Sequence, residues 1–277
     1  MKILFATFFC FALCACTDNA ADSSPPPSLS SSPLRVVSLD VCADQYVLKF
    51  VPPERILALS PDAAKPFSYM AKSAEGIPTV RSSAEDVMML KPDLIVRSYG
   101  GGPNAERFFA QADIPVITLG WAATLSDIQT NVKDTAAALG APDHGEQVAA
   151  EMQARIAALA VKSPPPKAMY MTPTGATSGS GTLIDELMQT AGLSNYDMRT
   201  GWQSLPLERL AHEAPDLIVT AFFDSSANNL NGWSSSRHPV AENLMNSRPI
   251  VDLPGAWTSC NGWFTLDAVE AMAKGAQ

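Results

Sequence analysis

The sequence predicts an α/β fold of two similar lobes, each with a mostly parallel central sheet, joined by one long rigid interlobe α-helix. Short β-branched runs alternate with helical patterns, which is typical of parallel sheets covered by helices. A unit ending in Pro-Asp-Leu-Ile-Val occurs twice, as "AEDVMMLKPDLIV" at 84–96 and "LERLAHEAPDLIV" at 207–219. The alternation stops once, at a helical stretch closed by "KSPPPK" (162–167). Two copies of a unit indicate a pair of lobes rather than a solenoid.

Apolar runs predict the strands of both lobes. In chain order they are "RVVSL" (35–39), "RILAL" (55–59), "DLIVRS" (93–98), "PVITLG" (115–120), "AMYMT" (168–172), "DLIVTAF" (216–222) and "PIVDL" (249–253). Ser82-x-x-Glu85 has the spacing of a capping box at the start of the first repeated unit. The last residues, "TLDAVEAMAKGAQ", predict a closing helix.

The interlobe helix is predicted within residues 126–160, which carry two helical patterns. Gly140 ends the first pattern, and the second places Val148, Met152 and Ile156 on one face. The prolines of "KSPPPK" end the second helix. The resulting division is an N-terminal lobe at 35–141, an interlobe helix at 142–163 and a C-terminal lobe at 164–277, which together form one domain.

The N-terminus predicts export from the cytoplasm. "MKILFATFFCFALCAC" has one lysine and an apolar run too short to span a bilayer, as in a signal peptide. Its end, Leu13-Cys14-Ala15-Cys16, resembles a bacterial lipobox, so residues 1–15 would be removed and Cys16 lipidated. The polar residues 16–34 then serve as a tether. We expect a lipid-anchored protein in the periplasm or on the outer face of the cytoplasmic membrane; cleavage after Ala21, giving a soluble periplasmic protein, is the alternative.

Charge and histidine content exclude two classes of function. The formal net charge is −9, and no basic stripe is present to bind nucleic acid. The three histidines, His144, His212 and His238, are scattered along the chain and read as surface or capping residues. The sequence therefore predicts no metal site and no cofactor of the protein's own.

Cysteine content predicts one disulfide. Cys10, Cys14 and Cys16 belong to the signal and the anchor, which leaves Cys42 and Cys260. An exported chain with two remaining cysteines is expected to join them. Two buried free thiols are the alternative.

Several motifs, taken in order, resemble the substrate-binding proteins of ABC importers, in the class that carries vitamin B12, ferric siderophores and haem. They are "RVVSLDVCADQ", the two repeated units, the long interlobe helix and "SGSGTLIDELMQTAGLSN", and the similarity covers residues 34–277. The resemblance implies a monomeric binding protein without enzymatic activity. It would capture a metal chelate between its lobes and deliver it to the permease subunits in the membrane, the metal entering only as part of the chelate.

The resemblance also gives the repeated glutamates a role. In this family one acidic residue per lobe docks into basic pockets of the paired permease subunits, and Glu85 and Glu208 match those positions. The alternative role is structural and requires no partner protein: a glutamate in the first turn of a helix stabilises the helix through its dipole.

The ligand is expected in the interlobe cleft, at the carboxyl ends of the strands. Loops there carry aromatic residues, whose faces suit a flat macrocycle or chelate; they are Phe67, Tyr99, Trp121, Trp202, Phe223 and Trp257. Trp202 matches a family position that contacts ligand, and the others follow from loop placement, with ordinary packing as the alternative. Arg81 and Arg97 are candidates for binding carboxylate or chelate oxygens, or are ordinary surface arginines.

The sequence does not decide between a corrinoid and a ferric siderophore as the ligand. Arg81 and Arg97 favour an anionic ferric chelate, whereas haem is less favoured because no His or Tyr is placed as an axial ligand. The zinc and manganese binders need several His, Asp or Glu ligands in the cleft, which three scattered histidines do not supply.

Two other classes of protein fit the sequence less well. A secreted lipid-anchored α/β hydrolase would use "TSGSG" (177–181) as its nucleophile turn, but Ser178 and Ser180 do not fit Gly-x-Ser-x-Gly, and His212 and His238 have no evident acidic partner. A purely structural lipoprotein would have no affinity for small molecules.

Overall fold

The computed structural model describes residues 34–160, 163–223 and 234–277. Leu34–Gln277 forms one compact unit. The predicted signal peptide, Cys16 and the tether up to residue 33 lie outside the described residues. Within the described ranges, no helix is both long enough and apolar enough to cross a bilayer.

The N-terminal lobe is a four-stranded parallel sheet in the order β2-β1-β3-β4. Its strands are β1 (Val36–Ser38), β2 (Ile56–Ala58), β3 (Leu94–Arg97) and β4 (Val116–Thr118). Its helices are α1 (Val41–Phe50), α2 (Ala84–Met89) and α3 (Ala105–Ala110). All four strands coincide with predicted apolar runs.

Two helices connect β4 to the second lobe, α4 (Leu125–Ala138) and α5 (Pro142–Ala157). Gly140, at φ +81°, allows the chain to leave α4, and Pro142 at the first position opens α5. The two helices pack closely, since a Cβ on Gly145 would lie 2.5 Å from the Cβ of Ala136. The connection is therefore a helix pair; α5 is the helix that the sequence assigns to the interlobe connection.

The C-terminal lobe has a second four-stranded parallel sheet, in the order β10-β9-β5-β7. Strands β6 and β8 form a separate antiparallel pair that the sequence does not predict. The strands are β5 (Lys167–Met171), β6 (Ala176–Ser178), β7 (Ser194–Asn195), β8 (Trp202–Ser204), β9 (Leu217–Ala221) and β10 (Ile250–Leu253). The helices are α6 (Leu183–Thr190), α7 (Leu207–Leu210), α8 (Pro239–Ser247) and α9 (Thr265–Gly275).

The repeated unit has the same structure in both lobes. Helix α2 leads into β3 and helix α7 leads into β9, and both strands are inner strands of their sheets. Glu85 and Glu208 lie in the first turns of α2 and α7, and both are exposed. Since each helix returns the chain to the start of a parallel strand, each glutamate lies toward the carboxyl edge of its own sheet.

One hydrophobic core runs through both lobes. It contains Val36 and Leu94 from the first sheet, Ala168 and Leu217 from the second, and buried residues of α1, α4, α5, α6 and α9 between them. Opening the lobes widely would expose this apolar surface to water, which is unfavourable. The shared core therefore favours small movements of the lobes over wide hinge closure.

Candidate functional site

A cavity of about 270 Å³ lies between the loop after β4, the start of α6 and the segment before α9. Its walls combine two tryptophans, aliphatic side chains, hydroxyls and one amide. The lining residues are Trp121, Ala122, Ala123, Gly181, Thr182, Leu183, Ile184, Leu187, Trp202, Thr258, Asn261 and Thr265. Of the predicted ligand-binding residues, the structure brings Trp121 and Trp202 together here.

Trp121 projects from a loop that the start of α4 holds in place. Asn131 donates to the Gly120 carbonyl at 2.7 Å. Asp127 accepts from the backbone N–H of Ala123 and Thr124 at 3.0 and 2.9 Å, which completes a capping box. The loop is fixed while the indole of Trp121 stays 87% exposed. A large apolar face left in water on an ordered loop is typical of a binding surface.

Trp202 lines the same cavity from the short strand β8. It pairs with Ser178 of β6, and its ring meets the buried ring of Tyr170 edge to face at 5.9 Å. This contact fixes the indole while leaving it 57% exposed. The β6–β8 pair thus positions the second aromatic wall of the cavity.

Thr258 lines the cavity, and Tyr170 is buried behind Trp202. Neither Thr258 Oγ1 nor Tyr170 Oη makes a hydrogen bond of standard geometry to a described residue. Burial raises the pKa of Tyr170 to about 12, and the nearby Thr258 hydroxyl acts in the opposite direction. The Thr258 hydroxyl, which lines the cavity, is therefore available to a ligand or a water molecule.

Cys42 and Cys260 form a disulfide, with Cα atoms 5.3 Å apart, as the sequence predicts. Cys42 is in the first turn of α1, and Cys260 lies between the lining residues Thr258 and Asn261. The disulfide therefore fastens one wall of the cavity to the N-terminal lobe.

Carboxylates dominate the carboxyl edge of the first sheet. Asp40 caps α1 and accepts hydrogen bonds from the backbone N–H groups of Ser98, Tyr99 and Gly100 at 2.7–3.0 Å. Burial, then the charges of Asp40, Asp62 and Asp44, raise the pKa of Tyr99, whose side chain is 60% exposed. Asp40 therefore ties the start of α1 to the loop that follows β3 and holds the backbone of Tyr99 in place.

Asp44 is a fully buried carboxyl group on α1. It accepts from the backbone N–H and the hydroxyl of Ser60, at 3.0 and 2.5 Å. Burial nevertheless raises the pKa of Asp44 from 3.8 to about 6, because desolvation outweighs these hydrogen bonds and that of Ser38.

We expect Asp44→Asn to stabilise the protein at neutral pH but not at low pH. The pKa of Asp44 is higher in the folded state than in the unfolded state. The contribution of Asp44 to the free energy of unfolding is therefore fully present below pH 3.8 and is lost as the pH rises through about 6. The loss amounts to roughly 3 kcal/mol, and asparagine does not incur it. Urea unfolding at pH 4 and pH 7.5 measures the difference. Asp62→Asn, on an exposed residue, is the control; an equal effect of Asp44→Asn at both pH values would contradict the prediction.

The other predicted aromatics do not line this cavity. Phe67 and Trp257 are half-buried against the shared core, and Phe223 is half-buried against a second cluster formed by β5, β9 and α8. Tyr99 is exposed on the N-terminal lobe, outside the cavity lining.

The two predicted arginines also lie away from the cavity lining. Arg81 is exposed and pairs with Asp86 at 2.8 Å. Arg97 is only 8% exposed; it stands on the same face of β3 as Ile95, toward α3, with Glu106 at 4.0 Å and its Nε without a partner among the described residues. Neither arginine therefore supplies this cavity with a cation for an anionic chelate.

Sequence reasoning missed the polar part of the lining, above all Thr182, Thr258 and Asn261. Thr182 caps α6, a position that the pattern Gly-Thr-Leu-Ile-Asp-Glu signals. Thr258 and Asn261 flank Cys260, so the predicted disulfide was itself a signal that this segment reaches the first lobe.

The two serines of the hydrolase alternative have structural partners. The Ser178 hydroxyl lies 2.5 Å from that of Thr182 within a buried strand, and Ser180 donates to the Met198 carbonyl at 3.1 Å. Over the described ranges, no three His, Cys, Asp or Glu side chains come together as a metal site.

The chain belongs to the periplasmic binding protein family, whose model matches residues 72–248. This confirms the family resemblance. The family consists of binding proteins. No curated protein matches the chain significantly in sequence.

Solved structures share the fold at low sequence identity. The periplasmic heme-binding protein RhuT from Roseiflexus sp. RS-1, in apo form, is 21% identical with a TM-score of 0.69, over 89% of this chain and 100% of that chain. The periplasmic vitamin B12 binding protein BtuF of Vibrio cholerae is 20% identical with a TM-score of 0.61, over 88% and 97%. An ABC transporter substrate-binding protein from Listeria monocytogenes EGD-e is 17% identical with a TM-score of 0.59, over 88% and 99%.

Proposed function

We propose that this protein is the extracytoplasmic substrate-binding component of an ABC importer. It captures a metal chelate between Trp121 and Trp202 and delivers it to a membrane permease, to which Glu85 and Glu208 dock. It acts without catalysing a reaction, as a monomer anchored through a lipid on Cys16. The observation that carries the proposal is the pair of exposed indoles facing one cavity within a periplasmic binding protein fold.

The chemistry of the cavity favours a corrinoid as the cargo. Every described residue of its lining is uncharged, with aromatic and aliphatic faces beside hydroxyls and the Asn261 amide. A corrin ring offers a flat apolar surface bordered by neutral amides, which match these groups. A volume of about 270 Å³ holds only part of such a ring, so the exposed indole faces would cover the rest.

Haem and the ferric siderophores fit the described residues less well. Haem carries two propionates, and many ferric chelates carry net negative charge, which requires cationic groups in the site. The described lining of the cavity contains no lysine, arginine or histidine to pair with such charges. Ferric siderophores remain the second candidate because a neutral chelate needs no cationic group in the site.

Calorimetric titration of the full-length protein with cyanocobalamin tests the proposal. We expect saturable one-to-one binding with a Kd at or below about 1 µM. Hemin and an anionic ferric siderophore, titrated under the same conditions, should bind at least about tenfold more weakly. Tight binding of hemin alone would reject the corrinoid, and binding of none of these compounds would favour the structural-lipoprotein alternative. Turnover of ester substrates that Ser180→Ala abolishes would favour the hydrolase.

A further inference from the structure

The segment that follows β10 crosses from the C-terminal lobe to the N-terminal lobe. After Leu253 ends the strand, Cys260 is bonded to Cys42 of α1. The Tyr46 hydroxyl donates to the Asn261 carbonyl at 2.9 Å, and the Ser259 hydroxyl donates to the Phe67 carbonyl at 2.8 Å. Three independent links, one covalent and two polar, therefore join this short segment to the first lobe.

Asn261 connects the same segment to the tryptophan loop. Its side-chain amide donates to the carbonyl of Ala122 at 2.8 Å, and Ala122 is the neighbour of Trp121. Asn261 and Ala122 both line the cavity. The backbone carbonyl of Asn261 is meanwhile held by Tyr46, so one residue is fixed from both sides.

We propose that Cys42, Tyr46, Cys260 and Asn261 form an interlobe clasp that sets the position of Trp121 before the cargo arrives, with Asn261 as the positioning residue. This inference rests on the proposed function for its consequence, which is cargo affinity. The role of the clasp is to hold Trp121 in place, which the aromatic walls of the cavity cannot do by themselves.

The clasp would raise affinity by ordering the tryptophan loop in advance of binding. The indole of Trp121 is almost fully exposed, so its own packing does not hold it against the opposite wall. Its loop is fixed to α4 on one side, through Asn131 and Asp127, and to the C-terminal segment through Asn261. A binding loop that is ordered before binding loses less conformational entropy when the ligand arrives, which increases affinity without a new contact.

The polar links are suited to this task because they are shielded. Cys260 is buried, and both hydrogen bonds of Asn261 are partly buried. A hydrogen bond removed from such a place leaves an unpaired carbonyl, which costs more than the loss of the bond itself. The loop would then sample positions in which Trp121 no longer faces Trp202.

Asn261→Asp tests the clasp in the full-length protein. Aspartate has the shape of asparagine but cannot donate to the Ala122 carbonyl when ionised, so the variant removes the link without opening a hole. Amide hydrogen exchange of the ligand-free protein should become about tenfold faster at residues 119–124 and unchanged in β9. Affinity for cyanocobalamin should fall about fivefold or more, in line with the loss of one shielded hydrogen bond. Asn261→Ala should have the same effect.

Two further variants separate the Asn261 link from a general effect of charge and from the disulfide. Asn243→Asp makes the same charge change on the exposed face of α8 and should alter neither measurement. Cys42→Ser with Cys260→Ser should speed exchange at both 119–124 and 257–262; if this variant does not fold, Asn261→Asp decides, since it keeps the disulfide. Unchanged exchange at 119–124 in Asn261→Asp would overturn the clasp. Failure of the wild-type protein to bind cyanocobalamin would reject the cargo instead, while the exchange measurement still decides the clasp.

Discussion

Replacing both cavity tryptophans, Trp121→Ala with Trp202→Ala, should lower the affinity for cyanocobalamin by about a thousandfold to ten-thousandfold. Each indole offers an exposed face to the cargo, and covering roughly 100 Å² of it contributes about 2 to 3 kcal/mol. Each single variant should therefore lose about 30- to 100-fold, and the two losses add if the rings act on different parts of the ligand. Titration calorimetry on the three variants measures the effect.

Protein stability should change little in the same variants, and this separates binding from folding. Trp121 makes few contacts to lose, whereas Trp202→Ala removes the edge-to-face contact with Tyr170, at a cost of about 1 kcal/mol. Phe108→Ala is the matched control, an exposed aromatic outside the cavity, and should bind normally. Wild-type affinity in the double tryptophan variant would mean that the cargo binds elsewhere on the protein.

The fold was predictable from the sequence where the pattern is local. The runs that became β1, β3 and β9 are β-branched and closely bounded, so their strands needed no knowledge of distant residues. The repeated unit was recognisable because its spacing is identical in both copies. The antiparallel pair β6–β8 was missed because "ATS" and "WQS" are too short and polar to carry a strand pattern; their pairing depends on the surrounding fold.

The candidate site was predictable only in part, for the same reason. Trp121 and Trp202 follow from their loops, and the disulfide follows from the cysteine count, which also brings Cys260 to the first lobe. Strand alternation places Arg97 on the face of Ile95, which packs against α3, since residues two apart share a face. Thr258 and Asn261 join the lining only because the chain returns to α1, a contact between residues more than 200 positions apart.

Reversing both repeated glutamates, Glu85→Arg with Glu208→Arg, should abolish uptake of the cargo while leaving its binding intact. Both side chains are exposed, lie in the first turns of equivalent helices, and do not line the cavity. Exposed charges at the rim of an interface mainly set orientation and the rate of encounter. If the two glutamates dock to the permease as proposed, reversing their charge would replace attraction by repulsion. Whole-cell uptake of labelled cyanocobalamin measures transport, and calorimetry on the purified variant measures binding.

The control pair Glu54→Arg with Glu151→Arg changes the net charge by the same amount at other exposed positions, one before β2 and one on α5. It should transport normally, which separates docking from a general effect of charge. The docking pair should also fold normally, because a first-turn glutamate contributes less than about 1 kcal/mol to its helix. Normal uptake in Glu85→Arg with Glu208→Arg would contradict docking. The two glutamates would then only stabilise the first turns of their helices. A large fall in affinity would instead mean that they face the cargo, so transport and binding must be measured on the same variant.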